Sequence, residues 1–578
     1  MADEGAAQVL EARVAPVSGA RSLPRRLVAV TSVLALAATV FFLFWKLDWI
    51  GMTWDELTAF GIVRSYIPDL ANILGNTTNA SQGRLNYTLA IPLMAWLGPT
   101  IEAFKLTFVF IALGCILALW LALKKAVRPV TALALAAVLA STPVFIGAGR
   151  TAANSGDVLT MLAIVLYIWT LARWTVRRRE HDMAAVAAIA CGIASGVAIG
   201  SKLTDGLLIP AAIVWIGQTL GWKKSLRDFS WYLPVTALVA VAAHPLFLLG
   251  PAAVISGIRD ADGFDHAAQF YLLGHYVKHP QWYFPLADLL AKTSIPLFAF
   301  FVWAAFAETA RSLKARSLNP WVGVAALVFG LDYLFVFKGF QGAHYYQPAV
   351  VAMVFISAPL LDRLLSSARR RTQILAALGV ALTLAYQVGL DVWLAPDFLQ
   401  AGRQFGDTFQ GEFSGPAVNH CQGGPGALAS LNRLEAARHY GHAYVLVHCG
   451  PVLNADSDAG PVRSVLHIDD YPYGGPSARP YWLLISHVYD YYSYGSPQAQ
   501  RDALARRARV VQDCTLASGT PDSSYEIYAC PAVTGQPAAP RSAPVQMVMS
   551  VPASLSARRG SVSGPDPAPE PTPPRRAR

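Results

Sequence analysis

Two acidic side chains stand together in the segment GMTWDELTAF, a few residues after a long apolar run. Asp55 and Glu56 form this pair, and a third acid, Asp157, opens another apolar run seven residues after Arg150. A carboxylate can act as a general base, and charged groups at membrane spans usually mark function. It can also stabilise a helix N-terminus, where it meets the positive end of the helix dipole. The sequence alone leaves both roles open.

Two lysines occupy positions that are equally unusual. Lys202 lies in the short turn of GVAIGSKLTDGLLIP, between two apolar segments, and Lys292 lies within the apolar stretch LLAKTSIP. Each ammonium group could simply reach the membrane surface along its flexible stem. Taken together with the acids, however, these cations favour a site that combines a base with a cradle for an anion.

The composition indicates that these residues belong to a membrane protein. The chain has 578 residues, of which 54% are hydrophobic and 14% charged, whereas soluble domains carry about 25% charged residues. The net charge of +10 comes from short Lys and Arg clusters between apolar runs. The positive-inside rule accounts for such clusters, so the charge does not indicate a nucleic-acid partner. We therefore predict a polytopic α-helical protein embedded in the lipid bilayer.

Eleven apolar windows approach the length that a membrane span needs, about 20 residues. The first window runs into FFLFWKLDW without a small-residue cleavage site, so we interpret it as a retained span and not as a signal peptide. The windows cover residues 27–47, 102–123, 129–149, 156–175, 184–200, 204–220, 231–249, 285–306, 320–337, 346–361 and 373–392.

Basic clusters alternate with weakly charged connections between these windows. They precede the first window and follow the second, fourth, sixth, eighth and tenth. Because positively charged connections stay in the cytoplasm, the N-terminus should be cytoplasmic and everything after residue 392 extracytoplasmic. We expect a multi-pass protein of the plasma (inner) membrane with a long first outer loop at residues 48–101.

Composition also divides the chain into regions. Residues 1–26 should form a disordered cytoplasmic N-terminus and residues 27–392 the membrane module, with the Pro-rich residues 536–578 as a disordered tail. Residues 393–535 combine a helical pattern with aromatic and β-branched strand patterns. This combination predicts a small extracytoplasmic α/β domain.

The six cysteines fall into two groups. Two lie inside apolar runs, where cysteine serves as a small core residue. The other four lie in the predicted α/β domain, which suggests two disulfides and an oxidising compartment. Of the three possible connectivities we predict pairing of sequence neighbours, Cys421 with Cys449 and Cys514 with Cys530.

Five sequence fragments within residues 25–392 resemble the GT-C superfamily of glycosyltransferases, which use polyprenyl-phosphate-linked sugars. The protein O-mannosyltransferase and aminoarabinose-transferase branch is the most similar part of that superfamily. The resemblance implies an inverting transfer of a sugar from a polyprenyl phosphate, of undecaprenyl or dolichyl type, to an extracytoplasmic hydroxyl group on a protein, lipid or glycan. The fragments are TWDELTAF, STPVFIGAGRTAANSGDVLTML, GIASGVAIGSKLTDGLLIP, HPQWYFPLADLLAKTSIP and GAHYYQPAV.

The resemblance also implies roles for individual residues. Asp55 matches the general base, Glu56 its frequent neighbour and Asp157 a second acid of the catalytic set. Lys202 matches a lysine that meets the carrier phosphate. Two features depart from the family pattern: LTAF follows the first acid where a basic residue is frequent, and HYYQP replaces an Arg-Tyr pattern. The expected donor-phosphate site consists of Lys202, Arg150, Lys292, His344, Tyr345 and Tyr346.

Other functions stay open on the sequence. A secondary transporter would show inverted repeats and charges at the bilayer centre, whereas the charges noted here gather at the outer ends of the windows. An O-antigen-ligase-type enzyme would still be a glycosyltransferase. No His and Asp cluster has metal-ligand spacing, so the sequence indicates neither a cofactor nor a divalent metal.

Overall fold

The chain forms a bundle of helices followed by a small sheet, as seen in a computed structural model. The bundle accounts for the long apolar part of the sequence, and the sheet lies in the region where strand patterns were expected. The residues that the structure describes are 23–45, 47, 54–68, 84–150, 157–179, 184–244, 247–248, 250, 252, 270–272, 275–277, 282–337, 346–395, 424–438, 440, 443–445, 465–467, 480–486, 508, 511–518 and 525–531.

Fifteen helices of the bundle follow one another along the described part of the chain. A 3-10 turn, Leu203–Leu207, separates α8 from α9, and a hairpin of β1 (Phe270–Leu272) and β2 (His275–Val277) precedes α11. The helices are α1 (Leu23–Phe44), α2 (Trp54–Tyr66), α3 (Arg84–Leu97), α4 (Ile101–Leu123), α5 (Pro129–Ala140), α6 (Pro143–Arg150), α7 (Asp157–Arg179), α8 (Ala184–Ser201), α9 (Leu208–Leu220), α10 (Trp222–Ala243), α11 (Phe284–Lys292), α12 (Ile295–Ala315), α13 (Pro320–Phe337), α14 (Gln347–Leu365) and α15 (Arg370–Leu394).

Six helices in the described part of the chain are long and apolar enough to cross a membrane: α1, α4, α7, α8, α14 and α15. Helices α5 and α6 would together form a seventh span, but they meet at a bend of 65°. Every predicted window contains helix, so the predicted class, a polytopic α-helical membrane protein, is confirmed. The remaining windows contain bent, shorter or more polar helices.

The segment expected as the first outer loop contains two helices, α2 and α3. Each buries residues at helical spacing: Ala59, Val63 and Tyr66 in α2, and Tyr87 and Ala90 in α3, all with 0% exposure. This periodicity lies in a stretch that is too polar to form a membrane span. Apolar content alone therefore classified the whole segment as a loop.

Three glycines let α8 and α10 approach each other closely. Gly192, Gly196 and Gly200 recur at intervals of four, so they lie on one face of α8. A Cβ atom at Gly196 would lie 2.6 Å from the Cβ atom of Val239 and 3.0 Å from the backbone nitrogen of Ala240. Small residues at such an interface allow two backbones to pack. The contact fixes the end of α8, which leads directly into Lys202.

A valine at Gly196 should therefore destabilise the bundle. Overpacking of a tight interface costs typically 1–3 kcal/mol, and backbone atoms of α10 would have to move. We expect Gly196→Val to lower the thermal unfolding midpoint of the detergent-purified protein. Gly114→Ala is the matched control, because an added Cβ atom there meets nothing within 4 Å and alanine is the better helix former. Equal midpoints for the two variants would contradict the close contact.

The C-terminal sheet has the strand order β4-β3-β5-β7-β6. Strand β3 pairs in parallel with β4 and β5, while β7 pairs antiparallel with β5 and β6. Cys514 and Cys530 form a disulfide across this region, which is the second of the two predicted pairs. The elements are α16 (Gly424–Arg438), β3 (Ala443–Val445), β4 (Val465–His467), β5 (Tyr481–Ser486), β6 (Thr515–Ser518) and β7 (Tyr525–Cys530).

The two faces of β5 have different neighbours. Trp482 and Leu484 form a small core with Leu431 of α16, and the indole Nε1 of Trp482 donates a 2.6 Å hydrogen bond to Oε2 of Glu435. On the opposite face, Leu483 and Ile485 belong to the large apolar cluster that contains the membrane helices. Both faces of the strand are therefore buried, as the alternation of side chains along a strand allows.

Candidate functional site

Several helix ends meet around Lys202. The start of α3 is tied to the end of α8 by a 2.8 Å hydrogen bond from Asn86 Nδ2 to the Ser201 carbonyl oxygen. The hydroxyl groups of Thr160, in the first turn of α7, and Ser201 lie 3.1 Å apart. Helices α13 and α14 pack against each other and against α7. These contacts place the residue that follows Ser201 at the junction of the helices.

Lys202 leaves the helical path at this junction. Its backbone is extended, with φ −151° and ψ 122°, and it precedes the 3-10 turn. The backbone N–H of Lys202 still donates to the Ala198 carbonyl oxygen at 2.8 Å, and its carbonyl oxygen accepts from the Asp205 N–H at 3.0 Å. The side chain of Lys202 therefore extends from a hydrogen-bonded turn between α8 and α9.

A cavity of about 40 Å³ lies beside this turn. One part of its wall is polar and includes Thr160, Lys202, Asp205 and Asp332. The remainder is almost entirely apolar and consists of Ile164, Leu207, Leu208, Val328, Leu331 and Pro348. A wall of this kind suits a molecule that has a charged head and a hydrocarbon body.

The N-terminus of α14 closes one side of the cavity. Asp332 of α13 accepts a 3.1 Å hydrogen bond from the backbone N–H of Ala349, through Oδ2. Tyr346 directly precedes α14 and is only 2% exposed, and Gln347 is 1% exposed. The proline of the HYYQP element, Pro348, therefore lines the same cavity as Lys202.

Arg150 and Asp157 are both buried, with exposures of 0% and 7%. The guanidinium Nη1 of Arg150 donates to the carbonyl oxygen of Phe42 at the end of α1. Asp157 lies in the first turn of α7, where its charge meets the positive end of the helix dipole. Neither residue therefore lies at the protein surface. Neither one lines the cavity beside Lys202.

Sequence reasoning missed three charged residues at or near this junction, Arg84, Asp205 and Asp332. Arg84, at the start of α3, is 1% exposed, with its guanidinium carbon 5.6 Å from the centre of the Tyr87 ring. Asp205 and Asp332 line the cavity. An acid inside an apolar helix is a signal of function, and Asp332 in GLDYLF carries that signal. Arg84 carried none, because its segment was taken for a loop.

The other predicted site residues have no side-chain position here. Asp55 and Glu56 are the second and third residues of α2 and Lys292 is the last residue of α11, but their side chains lie outside the described part of the structure. His344, Tyr345, Cys421 and Cys449 fall outside the described residues altogether. Within the described ranges, no group of three or more His, Cys, Asp or Glu side chains could hold a metal ion.

Residues 87–248 match the sequence model of the dolichyl-phosphate-mannose-protein mannosyltransferase family. The matched region runs from α3 to just beyond α10 and includes Asp157, Lys202 and Asp205. Together with the helical membrane module, the match supports the resemblance to the GT-C superfamily of glycosyltransferases that the sequence fragments suggested. No curated protein matches the chain.

Solved structures give weak resemblances over most of the chain. ArnT from Cupriavidus metallidurans in the apo state is 14% identical with a TM-score of 0.46, over 86% of this chain and 97% of that one. The same protein bound to undecaprenyl phosphate is 13% identical with a TM-score of 0.47, at the same coverage. The archaeal oligosaccharyltransferase AglB from Archaeoglobus fulgidus, in complex with an inhibitory peptide and a dolichol-phosphate, is 12% identical with a TM-score of 0.47, over 89% of this chain and 75% of that one.

Proposed function

We propose that the protein is an inverting glycosyltransferase that moves a sugar from a polyprenyl phosphate to an extracytoplasmic hydroxyl group. The observation that carries this proposal is the cavity whose wall combines Lys202 with six apolar side chains. A lipid-linked phosphate has both parts that such a wall would contact. The family match over residues 87–248 supports the same reaction class.

The chemistry requires a base and a stabilised leaving group. The acceptor hydroxyl oxygen attacks the anomeric carbon while the bond from that carbon to the phosphate oxygen breaks. Asp55 takes the hydroxyl proton, with Glu56 and Asp157 as the neighbouring acids of the catalytic set. The leaving phosphate gains negative charge, which Lys202 stabilises. One displacement inverts the anomeric centre.

The donor-phosphate site extends beyond Lys202 in this proposal. We include Tyr346, a buried residue that directly precedes α14, and Arg150, a buried cation that ends α6. His344 and Tyr345 directly precede Tyr346 in the sequence, and Lys292 ends α11. We include these residues because the donor carries a charged phosphate and because each can donate a hydrogen bond to it.

The active site should face the outside of the cell. Alternating basic clusters support a cytoplasmic N-terminus and an extracytoplasmic C-terminus. On that topology, the start of α7, the end of α8 and the start of α14 all lie at the outer ends of their spans. Residues 27–392 then form the catalytic membrane module, residues 393–535 an outer domain, and residues 1–26 and 536–578 tails outside these units.

Purified protein and a labelled polyprenyl-phosphate sugar would test the function directly. A transferase should hydrolyse or exchange this donor slowly without acceptor, while a transporter reconstituted in vesicles would move it intact across the bilayer. Sugar transfer with inversion at the anomeric carbon is the expected result. Intact transport with no bond cleavage would overturn the proposal. Mass spectrometry of envelope glycans from a deletion strain would then identify the acceptor.

A further inference from the structure

Asp332 connects two parts of the cavity wall. It belongs to α13, is 8% exposed and lines the cavity with Lys202 and Asp205. Its Oδ2 atom accepts the backbone N–H of Ala349, which belongs to α14. One carboxylate therefore contacts the start of a neighbouring helix and shares a cavity with the lysine.

The described residues at the start of α14 supply no side-chain cap to the helix. The Tyr346 side chain makes no capping hydrogen bond, and Pro348 has no N–H group to offer. The N–H groups in the first turn of a helix lack partners within that helix, and a negative charge there is favourable. Asp332 supplies the missing acceptor from α13. It thereby fixes the first turn of α14, whose Pro348 lines the cavity.

The second contribution of Asp332 is electrostatic. Asp205 and Asp332 line the same cavity as Lys202. The flexible stem of a lysine lets its ammonium group turn towards water. Opposite charges in one cavity attract each other, and the attraction is stronger beside an apolar wall than in water. The two acids therefore favour a Lys202 side chain that stays at the cavity.

We propose that Asp332 is a positioning residue of the donor site, which holds Lys202 and the N-terminus of α14 in the arrangement that receives the donor phosphate. The inference rests on the proposed function, since it assumes that a lipid-linked phosphate occupies the cavity. Asp332 acts through Lys202 and the first turn of α14 and is not assigned a contact with the reacting atoms. Asp205, whose Oδ2 atom is buried without a hydrogen-bond partner, assists in holding the ammonium charge.

Two substitutions separate the cap from the charge. Asp332→Asn keeps an acceptor for the Ala349 N–H, because asparagine caps helices as well as aspartate does, but it removes the negative charge. We expect its KM for the polyprenyl-phosphate sugar to rise about tenfold, because one interaction between charged groups is lost. Its unfolding midpoint should be unchanged. Asp332→Leu removes both functions and should also lower the midpoint.

A double-mutant cycle distinguishes positioning from a general structural role. If Asp332 acts through Lys202, then Asp332→Asn should have little further effect on donor KM in a Lys202→Met background. A purely structural role would reduce donor binding equally in both backgrounds. Asp391→Asn is the matched control: Asp391 is 1% exposed, its oxygens have no hydrogen-bond partner, and it does not line the cavity. Its donor KM should equal that of wild type.

Binding of polyprenyl phosphate to the purified protein keeps this test independent of catalysis. We expect Asp332→Asn to bind polyprenyl phosphate more weakly than wild type. In a Lys202→Met background the same substitution should make no difference to binding. Unchanged or tighter binding would overturn the inference, because the carboxylate would then be irrelevant or merely repel the phosphate. If wild type bound the lipid phosphate but transferred no sugar, the proposed function would be wrong. The comparison of lipid-phosphate binding between wild type and Asp332→Asn would still decide the role of Asp332.

Discussion

Asp55→Asn is expected to lower the rate of sugar transfer at least about a hundredfold, because general-base assistance contributes roughly 10²–10⁴-fold. Asp55 is the second residue of α2, and asparagine has the same shape without the ability to hold the transferred proton. Asparagine is also tolerated near helix starts, so expression and folding should be unchanged. Initial rates with a labelled donor and a saturating acceptor measure the effect.

Glu56→Gln is the control for this substitution. It removes the charge of the adjacent residue and keeps Asp55. Its rate therefore measures the effect of losing a nearby charge while the proposed base is present. We expect a smaller loss than for Asp55→Asn. If Asp55→Asn kept more than about a tenth of wild-type activity, its loss would be below the range of general-base catalysis. Asp157 would then be the next residue to test as the base.

Lys202→Ala is expected to weaken donor binding by roughly ten- to a hundredfold, since hydrogen bonds to charged groups contribute about 1.5–3 kcal/mol. The lysine lies on the turn after α8 and lines the cavity, so its loss removes the cation nearest to the expected phosphate. The affinity of the purified protein for polyprenyl phosphate is the quantity to measure. Raising the salt concentration should weaken wild type more than the variant.

Lys124→Ala serves as the comparison for Lys202→Ala. Lys124 follows α4, at the opposite end of the bundle on the proposed topology, and its ammonium group lies 4.4 Å from the centre of the Trp120 ring. That contact is a local cation–π interaction and has no connection to the cavity. Donor affinity should be unchanged in this variant. Equal affinities for wild type and Lys202→Ala would show that Lys202 only extends to the membrane surface.

Sequence patterns predicted the membrane helices well and their interruptions poorly. A run of apolar residues reports that a segment is buried in lipid or protein, and it is insensitive to a bend such as that between α5 and α6. The same reason explains the split between α11 and α12 around Ser294. The strand pattern in YWLLIS was also informative, because Trp482 faces α16 and not solvent. Which surface covers Leu483 could not be read from alternation alone.

The candidate site was predictable where a charge interrupts an apolar run. Lys202 was found in this way, and Asp332 offered the same signal in GLDYLF. Thr160, Lys202 and Asp332 are far apart in the sequence, so no local pattern contains their convergence on one cavity. Arg84 was missed for a different reason: a short amphipathic helix such as α3 is too polar for a span, so its sequence gives no sign of a buried cation.

The burial of Leu483 and Ile485 in the apolar cluster of the membrane helices has a consequence for biogenesis. A chain synthesised only as far as residue 395 contains every helix of the bundle but none of β5. The surface of the helices that those two side chains later cover is then exposed, and it stays so until the last quarter of the protein has been made. Nascent chains should therefore need protection from aggregation at this stage. Chains that terminate early would present the same uncovered surface to quality-control proteases, so truncated protein should be removed before it accumulates.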